Sequence, residues 1–212
     1  HSAVYSFSEA EAKMFSEKHG IKTVFTDLEE LAKSDEVDAV YIANPNALHY
    51  ATAKPLLENG KHVLCEKTCV VTSEQLNKLY EIADKNGVIF MEAMKGIYMP
   101  EIKVIDEAMK KIGDIGVDAG LAGFFHNKPD YTDDEWTAFC RYSSKYPEYR
   151  AGGTPNIFNP RMAAGGLMDM GIYLVYPAIY WFGVPSKIAA DASILRTGAD
   201  ACGTVLFHSA GN

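Results

Sequence analysis

The sequence predicts an α/β fold on a parallel sheet that passes, after residue 97, into a second, α+β part. Short apolar runs rich in β-branched residues alternate with helix-length segments as far as Met91. Ser, Thr or Asp opens the helices in capping patterns. Beyond Pro100 the texture changes to longer stretches that mix aromatic, polar and glycine residues.

Ala3 to Ser6 reads as a strand, and Ser8-Glu9-Ala10-Glu11 is a capping box opening a helix that finishes at His19-Gly20. Val24-Phe25 makes a second short strand. Asp27 with Glu30 caps the helix Leu28 to Lys33. The next stretch, Val37 to Lys67, organises the rest: a strand at Ala39 to Ala43, the turn Asn44-Pro45-Asn46, a helix closed by Asn59-Gly60, and a strand from His62 to Cys65 that delivers Glu66-Lys67. Two such strands joined by a helix run parallel through a right-handed crossover. Ligands of open parallel sheets bind beyond the carboxyl ends of the strands, so Asn44, Pro45, Asn46, His49, Glu66 and Lys67 are expected along one crevice.

A third box, Thr72-Ser73-Glu74-Gln75, starts a helix whose stripe Leu76, Leu79, Tyr80 and Ala83 faces a sheet. Gly87 ends it, and the strand Val88 to Met91 sends Glu92 to Lys95 towards the same crevice. A helix then runs to about Lys111, with a turn at Gly113 to Gly116 and a strand from Val117 to Phe125. Residues 126 to 160 are too long for a simple connection and read as a lid or interface segment. Gly165-Gly166-Leu167-Met168-Asp169-Met170-Gly171-Ile172-Tyr173 leads into an apolar helix reaching Phe182-Gly183, followed by strands at Lys187 to Leu195 and Gly203 to His208.

A net charge of -8 opposes a phosphate-tracking surface, so no nucleic-acid partner is expected. The 4 cysteines form neither a Cys-x-x-Cys pair nor a paired Cys/His zinc spacing, which predicts reduced thiols, no metal and a cytoplasmic setting. No uninterrupted apolar run approaches the roughly 18 residues of a membrane span, and no membrane partner is expected.

The motifs YIANPNALH, GKHVLCEK and GGLMDMGIY, in that order and at these separations, resemble the glucose-fructose oxidoreductase, inositol dehydrogenase and trans-dihydrodiol dehydrogenase family. The resemblance runs along essentially the whole chain and is weakest from His126 to Pro160. It implies a nicotinamide-dependent oxidoreductase: a partial Rossmann parallel sheet, then an α+β domain on an open, mostly antiparallel sheet that pairs homo-oligomers. It further implies that Asn44, Pro45, Asn46 and His49 line the cofactor, and that Glu66 and Lys67 touch nicotinamide ribose and a small-molecule substrate. Asp169 and Tyr173 complete the site. Those two are four apart on a predicted helix and so point the same way. Tyr173 is the candidate acid/base, Lys67 the cation that stabilises its phenolate, and Asp169 the orienting group.

The sequence departs from the family pattern in three places. Thr68 stands where relatives have Pro after Glu-Lys, and Lys95 and Ile97 stand where Trp and Arg are frequent. No Gly-x-Gly-x-x-Gly phosphate turn occurs in the 212 residues, and the chain is expected to be part of a protein roughly 100 or more residues longer. The residues after the first strand, Tyr5-Ser6-Phe7-Ser8, include no acid for a ribose 2′-OH, and Ser6 and Ser8 suit a 2′-phosphate. NADP is therefore expected ahead of NAD. The alternative reading is a non-catalytic sensor that keeps the dinucleotide fold.

Overall fold

A computed structural model describes residues 2–114 and 146–208, and the chain divides into two compact units at Ala93/Met94. The first unit alternates strand and helix: β1 (Ala3–Tyr5), α1 (Glu9–His19), β2 (Thr23–Phe25), α2 (Leu28–Lys33), β3 (Ala39–Ile42), α3 (Asn46–Glu58), β4 (His62–Cys65), α4 (Ser73–Asn86) and β5 (Phe90–Glu92). All its strand pairs are parallel, in two groups, β1-β2 and β3-β4-β5.

The caps read from the sequence are made. Ser8 Oγ accepts the Glu11 N–H, Asp27 accepts from Glu29 and Glu30, and Thr72 accepts from Gln75. Gln75 Oε1 reaches back to the Val71 N–H, which closes the box from the other side. Gly20 and Gly87 end α1 and α4 at φ 67°, the left-handed conformation that glycine adopts without a Cβ clash.

The core gathers Leu31, Ile42, Leu56, Leu57, Val63, Leu79, Ile82 and Phe90 between the helices and the sheet. Ile82 fills the place on the α4 stripe expected for Tyr80, which lies exposed and meets Phe90 edge to face.

The second unit opens with a short 3₁₀ turn, Lys95–Tyr98, and α5 (Glu101–Asp114). The expected strand from Val117 to Phe125 lies outside the described residues, as does most of the expected lid. Within residues 146–160 the chain forms the helix Tyr146–Arg150 and the 3₁₀ turn Asn156–Phe158. The helix Ile172–Phe182 is preceded by a π turn, Leu167–Gly171, where the sequence predicted ordinary α-helix. Trp181 Nε1 and the Tyr180 hydroxyl donate to Asp106, joining this helix to α5.

An antiparallel hairpin follows, β6 (Lys187–Ile194) and β7 (Asp200–His208), with β6 exposed along its whole length. The segment Pro160–Phe182 contains an 18-residue window of mean hydropathy 1.3 and is long and apolar enough to cross a membrane by length and composition. Counting uninterrupted apolar residues overlooked it, because Arg161 and Asp169 break the run while a helical window spans them.

Candidate active site

The register of the three-stranded sheet sets the site. Ile42 pairs with Cys65 and Cys65 with Glu92, so the carboxyl ends of β3, β4 and β5 are level. The ladder continues one step further, with Glu66 N–H donating to Ile42 O at 2.9 Å and Ala93 N–H to Cys65 O at 2.7 Å. Asn44 to Asn46, Glu66-Lys67 and Glu92 therefore leave the sheet side by side.

Each is held locally. Pro45 stands at the N-cap of α3 and provides no side-chain cap. Asn44 Nδ2 donates to Thr52 Oγ1 at 2.8 Å, while its Oδ1 is buried with no protein donor. Glu66 accepts the Tyr41 hydroxyl on one oxygen and the Lys67 N–H on the other, at 3.1 Å for the second. That hydrogen bond, then burial and the Glu66 charge, push the Tyr41 phenol up to about 12. Glu92 Oε1 accepts the Cys69 N–H at 2.9 Å. Burial, then Glu92 and Glu66, push the Cys65 thiol up to about 12, and burial, Glu92 and Cys65 raise Cys69 as well. The Lys67–Thr68 peptide is cis.

His49, one turn into α3, is buried behind the strand ends. It is 0 % exposed, and both ring nitrogens face backbone carbonyls, Nδ1 to Thr68 O at 2.9 Å and Nε2 to Asn44 O at 2.8 Å. Sequence reasoning saw a His one turn into a helix behind a strand end, which fits a wall residue and a buried tie equally well. Tyr41 was not weighed as a site residue, and Glu92 was read only as reaching the crevice from the end of its strand.

Ser6 follows β1 as expected. Its hydroxyl accepts the Ser8 N–H at 3.2 Å and donates to Glu11 Oε2 at 3.4 Å. A carboxylate thus stands beside the position read as free of acid, because the first turn of α1 brings residue 11 back to residue 6.

In the second unit Asp169 lies in the π turn and Tyr173, 41 % exposed, in the first turn of the helix after it. The turn is anchored to β7: Asp200 Oδ2 accepts the Leu167 N–H at 2.6 Å. Gly165, at φ 145°, and Gly166 allow that approach, since a Cβ on Gly165 would overlap Asp200 Oδ1 and one on Gly166 would stand 2.8 Å from Ala201 O. π turns inside helices occur often at functional sites.

A parallel sheet with polar residues at level strand ends, followed by a unit with an antiparallel hairpin, is a dinucleotide-binding architecture of the Rossmann class. Residues 1–94 match the model of the family described as an oxidoreductase family with an NAD-binding Rossmann fold. The chain is 40% identical over 206 residues to scyllo-inositol 2-dehydrogenase (NADP(+)) IolU of Bacillus subtilis, covering 97% of this chain and 57% of that protein. It is 31% identical over 205 residues to trans-1,2-dihydrobenzene-1,2-diol dehydrogenase of Mus musculus, covering 94% and 54%. The chain thus spans about half the length of the curated relatives it matches. The fold is shared with KijD10, a 3-ketoreductase from Actinomadura kijaniata, at a TM-score of 0.70 and 24% identity over 99% of this chain and 58% of that one.

Proposed function

We propose that the protein is an NAD(P)-dependent oxidoreductase that moves a hydride between the nicotinamide and a secondary alcohol or carbonyl of a polyol, sugar or dihydrodiol. The observation that carries this is the level array of Asn44, Glu66-Lys67 and Glu92 at the ends of three parallel strands. The names of the inositol and dihydrodiol dehydrogenases to which the chain is similar supply the substrate class.

The residues present fit the nicotinamide end of the cofactor. Asn44 Oδ1 is a buried acceptor that needs a donor, and Glu66 is held ready beside Lys67. A bound nicotinamide supplies the hydride acceptor or donor. Lys67 holds the reacting oxygen, and the resemblance gives Tyr173 the proton transfer and Asp169 the orienting of the substrate. Positioned acid/base groups contribute roughly 10²- to 10⁴-fold. NADP is the favoured form, in line with the NADP(+) named for the Bacillus relative, although the Glu11 carboxylate beside Ser6 acts against a 2′-phosphate.

The protein also pairs with a second copy through the hairpin sheet. On one face Ile188, Ala190, Ala192 and Ile194 of β6 lie beside Val205 and Phe207 of β7, and β6 is exposed throughout.

The test is absorbance at 340 nm with the complete protein, NADP or NAD, and a panel of polyols, sugars and dihydrodiols. Turnover is expected, with Lys67→Met and Tyr173→Phe each lowering kcat roughly 10²- to 10⁴-fold at little cost to dinucleotide affinity. Unchanged turnover in both variants removes these residues from the mechanism. Silence across the panel despite tight dinucleotide binding favours the sensor, for which Lys95 and Ile97 in place of Trp and Arg also speak.

A further inference from the structure

Tyr41 takes no part in the chemistry above, although its side chain reaches the site. Successive side chains of a strand point to opposite faces of the sheet. Ile42 is 3% exposed and packs with Val63 and Cys65 of β4 in the core, so Tyr41 lies on the other face, where it is 54% exposed. Tyr41 pairs with Leu64, and the ladder carries on past Cys65 through the Glu66 N–H to Ile42 O at 2.9 Å. Glu66 therefore falls on the face of Tyr41, two residues beyond its partner. The aromatic ring and the glutamate together span that diagonal: the Tyr41 hydroxyl donates to Glu66 Oε1. The Lys67 N–H donates to the other oxygen, Oε2, at 3.1 Å.

A glutamate that nothing holds samples several rotamers, and a ligand that uses it must first stop that motion. With a donor on each oxygen, the Glu66 carboxylate is fixed in place and in orientation before a ligand arrives. It keeps capacity to accept, since a carboxylate offers about four lone-pair sites and two are taken. The remainder suits two hydroxyl donors on neighbouring carbons. The Tyr41 phenol, pushed up to about 12 first by this hydrogen bond, stays a donor throughout the neutral range.

We propose that Tyr41 is a positioning residue acting through Glu66: it presets the carboxylate at the end of β4 to receive a vicinal diol. Two sources of that diol meet in the crevice, the ribose of the nicotinamide and the polyol substrate. The proposal rests on the oxidoreductase reading above.

The test uses the complete protein and Tyr41→Phe, which keeps the ring and removes the donor. Calorimetry with NADP is set beside calorimetry with adenosine 2′,5′-bisphosphate, which lacks the nicotinamide ribose; NAD and ADP replace them if NAD is the form bound. The dinucleotide Kd is expected to rise roughly three- to thirtyfold, with the Kd of the fragment within about twofold of wild type. If the diol is the substrate's, dinucleotide affinity holds and the KM of the best substrate in the 340 nm panel rises by that factor instead. Glu66→Ala is expected to produce the same change, and Tyr41→Phe to add nothing to it, because the two substitutions remove one arrangement. Three results overturn the proposal: dinucleotide Kd and substrate KM both unchanged, equal weakening of dinucleotide and fragment, or a further rise when the two substitutions are combined. A wild-type protein that binds no dinucleotide removes the oxidoreductase reading, and the proposal with it.

Discussion

Tyr41, Cys65 and Cys69 are three weak acids collected around Glu66 and Glu92, and all three hold their protons more tightly than the free groups do. Their folded pKa values lie above the ordinary 9.0 of a thiol and 10.0 of a phenol. The folded state therefore binds more protons than the unfolded chain above pH 9, and stability falls as pH rises. Below pH 9 the contribution is fully present; it is lost towards about 12. Urea unfolding midpoints are expected to fall steadily over that window and to fall less in Cys65→Ala. A flat profile would show that the two thiols are not buried as the structure puts them. The same residues show why single positions were only partly legible. Glu66 and Lys67 were found because a motif carries them. Glu92 and the inward turn of His49 depend on which strands are neighbours, a property that no local spacing encodes.

At the scale of elements, the helices of the first unit were read closely because their signals are local: a hydroxyl or carboxylate at the caps of α1, α2 and α4, and a glycine at the ends of α1 and α4. The helix bearing Tyr173 was read as α from its apolar content, yet it begins with a π turn. That turn is set by a partner 33 residues away, the Asp200 carboxylate on the Leu167 N–H, and by two glycines that let the chain lie against β7. Gly165→Ala places a side chain both in the left-handed region and on top of Asp200. It is expected to cost about 2 kcal/mol or more, and to displace Asp169 and Tyr173 together. The checks are a urea midpoint and, in the complete protein, a fall in the proposed turnover. Wild-type values for both would show that the anchor is dispensable.

At the scale of the whole molecule, the exposed apolar face of the hairpin bears on assembly. Ile188 is 59% exposed and Ile194 63%, on one face of β6. If this face joins two copies, Ile188→Asp in the complete protein shifts sedimentation from dimer to monomer while leaving the fold intact by circular dichroism. An unchanged dimer would place the interface elsewhere. The sequence by itself determined the alternation of strand and helix, the parallel sheet, the caps and the three motifs, because each rests on residues a few positions apart. Only the tertiary structure decided that Glu11 stands beside Ser6, that Tyr41 holds Glu66, and that His49 and Glu92 meet on one peptide behind Lys67. The physical reason is that strand pairing and burial bring together groups from α3, β4 and β5, and burial then obliges each polar atom to find a partner. The Val37 to Lys67 stretch names the candidate lysine; the pairing of β4 with β3 and β5 decides which groups stand beside it.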